Sequence, residues 1–230
     1  MRSIAFLTLK GGTGKTTLAA SLAEAAANAG EKVIALDLDP QGSLCRWGKR
    51  REVAKARNEV IVEPLEPERL HRLKSILEGL AGAGFTLAIF DTACTESVAI
   101  RLVTEVVDLC LLPARPTRLD IEATTGTFRA VYLAKRKAAF VLNQCPPTYR
   151  STRASEAAKS LNRLGILAEP MLSARMDFQD AIAAGLGVTE YAHDGRAAQE
   201  IATLWSWSRG QMAGGKNGSS TDRQISGQAA

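Results

Sequence analysis

Along the chain, short runs that are apolar at nearly every position alternate with longer runs whose apolar residues return every three or four positions. The first kind predicts strands buried on both faces, and the second predicts helices packed against them. Six strands are predicted: "SIAFLTL" (3–9), "KVIALDLD" (32–39), "EVIVEP" (59–64), "FTLAIFD" (85–91), "VVDLCLLP" (106–113) and "KAAFVLNQ" (137–144). A short edge strand is expected within "GILAEPML" (165–172), limited by Pro170, whose nitrogen cannot donate to a ladder. Helices are predicted over 15–29, 42–57, 66–80, 95–105, 118–136, 151–164 and 196–210, the first of them closed by Gly30.

This alternation implies an α/β protein with one domain over residues 1–212, a mostly parallel twisted sheet with helices on both faces. Residues 213–230 hold a single large apolar residue, Ile225. They bury too little to offset ordering entropy, so a disordered C-terminal tail is expected there.

Composition narrows the picture a little. Hydrophobic residues are 46% of the 230 and aromatics only 5%, which suits helices packed closely on a sheet. The net charge of +5 is compatible with an anionic partner without demonstrating one. Cys45, Cys94, Cys110 and Cys145 form no C-x-x-C pair, and His71 and His193 are the only histidines, which argues against a zinc or iron–sulfur site within one chain. Scattered thiols suggest a reducing compartment. The opening apolar run is too short for a signal peptide and is broken by Lys10. No run approaches the ~18 apolar residues of a spanning helix.

The chemistry concentrates in "LKGGTGKTT" (9–17), between the first predicted strand and the first predicted helix. Gly11, Gly12 and Gly14 let the backbone turn tightly and aim its N–H groups inward, where they and the helix dipole can cradle phosphates. Lys15 would neutralise β- and γ-phosphate oxygens, Thr16 would place its hydroxyl on Mg²⁺, and Thr17 would lie nearer the α-phosphate. Two features are unusual. Leu9 stands where an ordinary phosphate loop has its first glycine, and Lys10 adds a second cation. Asp37 and Asp39 lie two apart at the end of the second strand and so point the same way, toward the crevice where such sheets bind ligands. Asp91 ends the fourth strand. For each of these aspartates the plainer alternative is a strand-end residue capping a helix.

"KGGTGKTT", followed in order by "ALDLDPQGS" (35–43), "FTLAIFDTA" (85–93), "LLPARPTRLD" (111–120) and "VLNQ" (141–144), resembles the ParA/MinD class of deviant Walker A P-loop ATPases. The likeness covers residues 1–210 and is nearest the short ParA-type partition ATPases. It implies ATP and Mg²⁺ as cofactors. It implies nucleotide binding by Lys10, Gly11, Gly12, Thr13, Gly14, Lys15, Thr16 and Thr17, with Lys10 crossing to the phosphates of a partner in an ATP-bound homodimer. It gives Lys10, Lys15 and Asp39 catalytic roles, with Asp39 orienting the attacking water. Mg²⁺ would be held by Thr16, Asp91 and, in support, Asp37. Asn143 would read adenine; its plainer reading is a strand-end turn residue.

The resemblance further implies a cytoplasmic ATPase, nucleoid-associated when ATP-bound. It would bind non-specific DNA and drive plasmid or chromosome partition with a centromere-binding partner protein that stimulates hydrolysis. The same ATPase serving a protein cargo or conjugative transfer stays open. An amidoligase-type enzyme fits less well, because of Lys10 and the D-x-D-P-Q run, and so does an iron–sulfur ATPase.

Three basic groups could meet DNA: Arg46, Lys49, Arg50, Arg51, Lys55 and Arg57; Arg129, Lys135, Arg136 and Lys137; and Arg150, Arg153, Lys159 and Arg163. Arg175 is a further candidate that the resemblance suggests. Solvated helix faces are the plainer reading of all three groups. The last predicted helix carries Trp205 and Trp207 but little positive charge, which favours core or interface packing over a membrane anchor.

Overall fold

The structure is a computed structural model that describes residues 1–94, 98–147 and 151–213. Seven strands form one sheet: β1 (Arg2–Phe6), β2 (Val33–Asp37), β3 (Val60–Pro64), β4 (Leu87–Asp91), β5 (Leu109–Ala114), β6 (Ala138–Leu142) and β7 (Ile166–Leu167). Their order is β3-β2-β4-β1-β5-β6-β7, and every pairing is parallel. The helices are α1 (Lys15–Asn28), α2 (Ser43–Ala54), α3 (Leu73–Gly82), α4 (Val98–Val106), α5 (Arg118–Leu133), α6 (Thr152–Leu164), α7 (Met176–Ala183), α8 (Val188–Tyr191) and α9 (Arg196–Ala213).

Strands β2, β4, β5 and β6 are buried at every position, as their continuous apolar runs require. Successive side chains serve opposite faces. Ile4, Phe6, Ala35 and Ile89 pack with Leu18, Trp47, Ile201 and Trp205 of α1, α2 and α9. Ala5, Leu36 and Phe90 pack with Leu73, Val103, Val131 and Leu161 of α3 to α6. Trp205 is buried and Trp207 packs partly buried beside that first cluster, so the tryptophans are core. No helix among the described residues is long and apolar enough to cross a membrane.

The register places the chemistry on one edge. Phe6 at the end of β1 lies opposite Asp91, and Asp91 lies opposite Asp37. The loops after β1, β2 and β4 therefore open into one crevice at the carboxyl ends of the central strands.

Several elements differ from expectation. The helix expected over 66–80 is split: residues Pro67–Arg72 form a 3₁₀ turn and α3 follows, with Pro67 at the start, where a missing N–H costs nothing. The edge strand shrinks to Ile166–Leu167. The short helices α7 and α8 were not predicted; eight and four residues give little periodicity to read. Helix α9 runs through Ala213, so the expected tail would begin one residue later, and 214–230 lie outside the described residues, as do 95–97 of the expected fourth helix.

Helices α7 and α8 are pinned to α2 by polar contacts. Buried Arg51 spans Glu190, 2.6 Å to Oε2 and 2.7 Å to Oε1, and Trp47 Nε1 donates to the Leu186 carbonyl at 3.1 Å. Fully buried Glu24 of α1 accepts from Asn58 Nδ2 at 2.9 Å and from the Thr189 hydroxyl. Burial is the main cause that raises its pKa above the usual carboxylate value, with the Glu190 charge adding to it. The seam depends on Gly185, which has φ of 76°; a Cβ there would stand 2.5 Å from the Arg50 carbonyl carbon and 2.6 Å from the Arg51 nitrogen. Backbone cannot yield as a side chain can. Gly185→Ala is expected to destabilise the fold by about 2–4 kcal/mol, the sum of left-handed strain and overpacking, measured by denaturant melts.

Candidate functional site

The loop between β1 and α1 ends at Gly14, the N-cap of α1, with φ of 92° and no side chain capping the helix. Among the described residues no side chain accepts from the first N–H groups of α1, the arrangement that attracts an anion. Lys15 opens α1 and is only 6% exposed. Its Nζ lies 2.8 Å from Cys94 Sγ and has no carboxylate partner among the described residues. Thr13 is buried with its hydroxyl unpartnered among the described residues, Thr16 and Thr17 are half-buried, and Gly11 and Gly12 are exposed.

The far side of the crevice braces this loop. Asn143 Nδ2 donates to the Thr13 carbonyl at 2.8 Å, and Gln144 Nε2 donates to the Gly12 carbonyl at 3.0 Å. A Cβ on Gly14 would sit 2.5 Å from Asn143 Nδ2, so glycine there serves a close approach as well as a turn. Thr92 Oγ1 donates to the Phe6 carbonyl at 2.9 Å and ties the end of β4 to β1. Sequence reading missed these braces. The only signal was that Asn143 and Gln144 close an apolar strand, which suggests a turn and not a contact with residue 13. Asn143 is buried and bound into the loop, so its expected base contact would have to come from its remaining groups.

The three aspartates are distinct. Asp91 is fully buried; its Oδ2 accepts from Thr16 Oγ1 at 2.6 Å, and its Oδ1 has no hydrogen-bond partner among the described residues. Burial pushes its pKa up to about 7, helped by the charges of Asp37 and Asp39 and opposed by the Thr16 hydroxyl and Lys15. Asp37 accepts from the Asp39 N–H at 3.1 Å and from the Cys45 N–H, in the first turn of α2, at 2.9 Å. It therefore does what the helix-capping alternative describes, and anchors the loop that carries Asp39. Asp39 is half-buried and accepts from the Gln41 N–H at 2.9 Å.

An orphaned carboxylate oxygen beside a threonine hydroxyl, under a helix N-terminus, fits a hard divalent cation. No group of three or more His, Cys, Asp or Glu side chains forms a metal cage among the described residues. Mg²⁺ does not need one, since it keeps waters and takes only one or two protein oxygens beside the substrate's phosphates.

Lys10 stands apart from these groups. Its Nζ is 3.2 Å from Asp120 Oδ2, at the start of α5, and its side chain is 28% exposed. Some of the candidate cations are engaged within the fold. Arg51 is buried on Glu190, Arg50 donates to the Ile182 carbonyl at 3.2 Å, and Arg175 is held by Glu200 at 2.9 Å. Arg136 and Lys137 donate to the carbonyls of Glu105 and Gln211. Arg46, Lys49, Lys55 and Arg57, then Arg129, Lys135, Arg136 and Lys137, and separately Arg153, Lys159 and Arg163 on α6, are exposed; Arg150 lies outside the described residues.

A parallel sheet whose central strand feeds a glycine turn into a helix N-terminus, with a lysine at its first position, defines a P-loop nucleotide-binding protein. The chain belongs to the CobQ/CobB/MinD/ParA nucleotide-binding domain family, whose pattern matches residues 4–188. It is 32% identical over 202 residues to maintenance of carboxysome distribution protein A of Gloeobacter kilaueensis, covering 86% of this chain and 88% of that protein. It is 30% identical over 182 residues to a ParA protein of Rhizobium radiobacter, covering 72% and 75%. In fold it is similar to apo McdA from Cyanthece, with a TM-score of 0.75 at 16% identity over 92% of this chain and 99% of that one.

Proposed function

We propose that this chain hydrolyses ATP, pairs with a second copy around ATP and Mg²⁺, binds DNA without sequence preference while paired, and uses that cycle to position a cargo in the cytoplasm and on the nucleoid. The observation that carries the reading is two lysines on one glycine loop with opposite settings. Lys15 is buried at the helix N-terminus, whereas Lys10 stands at the rim with its ammonium against Asp120 of α5.

The chemistry follows from the positions. Gly11 to Thr17 would wrap the phosphates with N–H donors, and Lys15 would exchange the Cys94 sulfur for β- and γ-phosphate oxygens, a stronger charge-assisted contact. Thr16 and Asp91 would hold Mg²⁺, with Asp37 acting through its field; the ion would neutralise phosphate charge. Phosphoryl transfer asks a protein mainly to position groups and stabilise charge, so no nucleophilic side chain is needed. Asp39, on the loop that Asp37 anchors, would orient the attacking water. Lys10 cannot complete its charge-assisted bonds until a partner's phosphates arrive, which would couple nucleotide state to pairing.

For the cargo, the first reading is a plasmid or chromosome, reached through a centromere-binding partner that stimulates hydrolysis; the likeness to a ParA protein supports it. The second is a protein cargo, favoured by the longer match to a carboxysome distribution protein. DNA retention with ATP, ADP or no nucleotide tests the part common to both. Retention is expected in ATP alone and should fall steeply with salt, since neutralised phosphates release counterions. Equal retention in all three conditions would contradict DNA binding by the paired state.

A further inference from the structure

We propose that Cys94 is a site of oxidation by hydroperoxides, and that its oxidised sulfur occupies the anion site around Lys15 and shuts out a nucleotide's phosphates. The exclusion rests on the reading that Lys15 takes phosphate oxygens.

The four thiols differ in their surroundings. Cys110 and Cys145 are buried, which pushes the first up to about 12 and the second up to about 11. Cys45 is half-buried, and burial, then the Asp37 charge, push its thiol up to about 11. These three are held as thiols, the unreactive form. Cys94 is half-buried, and its sulfur is the one a cation touches, with Lys15 Nζ at 2.8 Å.

That cation belongs to an anion site. Lys15 is 6% exposed and has no carboxylate within ion-pair distance among the described residues; Asp91 acts on it only through its field. It opens α1, whose first N–H groups meet no side-chain acceptor among the described residues. A buried cation at a helix N-terminus favours a negative group beside it. Oxidation of the sulfur supplies one in place.

The Cys94 sulfur attacks one peroxide oxygen. The O–O bond breaks as the S–O bond forms, and the thiol proton ends on the leaving oxygen. Cys94–SH and hydrogen peroxide give Cys94–SOH and water; sulfur loses two electrons and peroxide gains them. The Lys15 ammonium stabilises the charge that builds on the leaving oxygen. A second peroxide gives the sulfinic acid and a second water. With Nζ already at the sulfur, the added oxygen falls within reach of the ammonium and takes the place of a phosphate oxygen. Two thiols return the sulfenic acid to Cys94–SH, leaving one disulfide and water, whereas they do not restore the sulfinic acid.

The test gives the nucleotide-free, full-length chain a brief pulse of dilute hydrogen peroxide, traps sulfenic acid with dimedone and reads each cysteine peptide by mass spectrometry. Cys94 is expected to label several-fold more than Cys45, and several-fold less when ATP is bound first. In a second arm without dimedone, the oxidised chain should lose ATP affinity about tenfold or more, the scale of one charged contact, and recover it with dithiothreitol. Cys94→Ser should keep its affinity through the same pulse. If that variant folds poorly, recovery of the unchanged chain with dithiothreitol still decides. Cys94 labelled no more than Cys45, or a chain oxidised at Cys94 that binds ATP as before, overturns the proposal. A reduced chain that binds no ATP overturns the nucleotide reading of Lys15, and the exclusion with it; the oxidation itself stands or falls on the labelling of the nucleotide-free chain.

Discussion

Replacing Asp39 with alanine is expected to slow ATP hydrolysis by roughly 10²-fold, the scale of one positioned acid–base group, while ATP affinity changes by no more than about threefold. The separation follows from the contacts. The Asp39 carboxylate pairs with neither lysine among the described residues; it accepts from the Gln41 N–H in its own loop. The loop is held from behind by Asp37, whose bonds to the Asp39 and Cys45 N–H groups do not involve the Asp39 side chain. The phosphate loop is braced from the other side by Asn143 and Gln144. Removing the Asp39 carboxylate should leave the cradle intact and take away only what orients water. Phosphate release read beside a nucleotide-fluorescence titration checks this. An equal loss of affinity and rate would place Asp39 in binding instead.

Lys10→Ala should have the largest effect on assembly. Truncating one member of a desolvated charge pair across an interface costs about 2–5 kcal/mol, some 30-fold or more in affinity, and a two-fold symmetric pair loses the contact twice. ATP-dependent pairing should therefore vanish at micromolar protein. ATP binding to the single chain should survive, because Lys10 Nζ rests on Asp120 and Lys15 is the cation at the head of α1. Light scattering beside nucleotide titration separates the two. A Lys10→Ala chain that pairs as the unchanged one does would leave Lys10 a solvated loop residue.

The sheet was legible because its strands are apolar on both faces; β4 and β5 have no polar position before their ends, and a parallel sheet covered by helices is what such strands require. The phosphate loop was legible because Gly12 and Gly14 supply positive φ just where strand turns to helix. The order in which strands pair was not legible, since each parallel crossover reads the same in sequence. Nor were the long-range polar contacts. Arg51 looks like one more cation on a basic helix, and only the folded chain brings Glu190, 139 positions on, against it. For the same reason the sequence could not show which cations of a basic run are engaged within the fold. The sequence leaves Asp37 as support for Mg²⁺ or as a cap, and its two backbone N–H partners show the capping contact. Cys94 against Lys15 had no sequence signal beyond its place after the fourth strand.

The central claim is that two copies share their bound ATP through Lys10. The most direct measurement is the solution mass of the Asp39→Ala chain, slow to hydrolyse, across a concentration series with and without ATP and Mg²⁺. The account predicts 24.6 kDa without nucleotide and twice that with it. A chain that binds ATP yet keeps the single-copy mass at the highest concentration would contradict it.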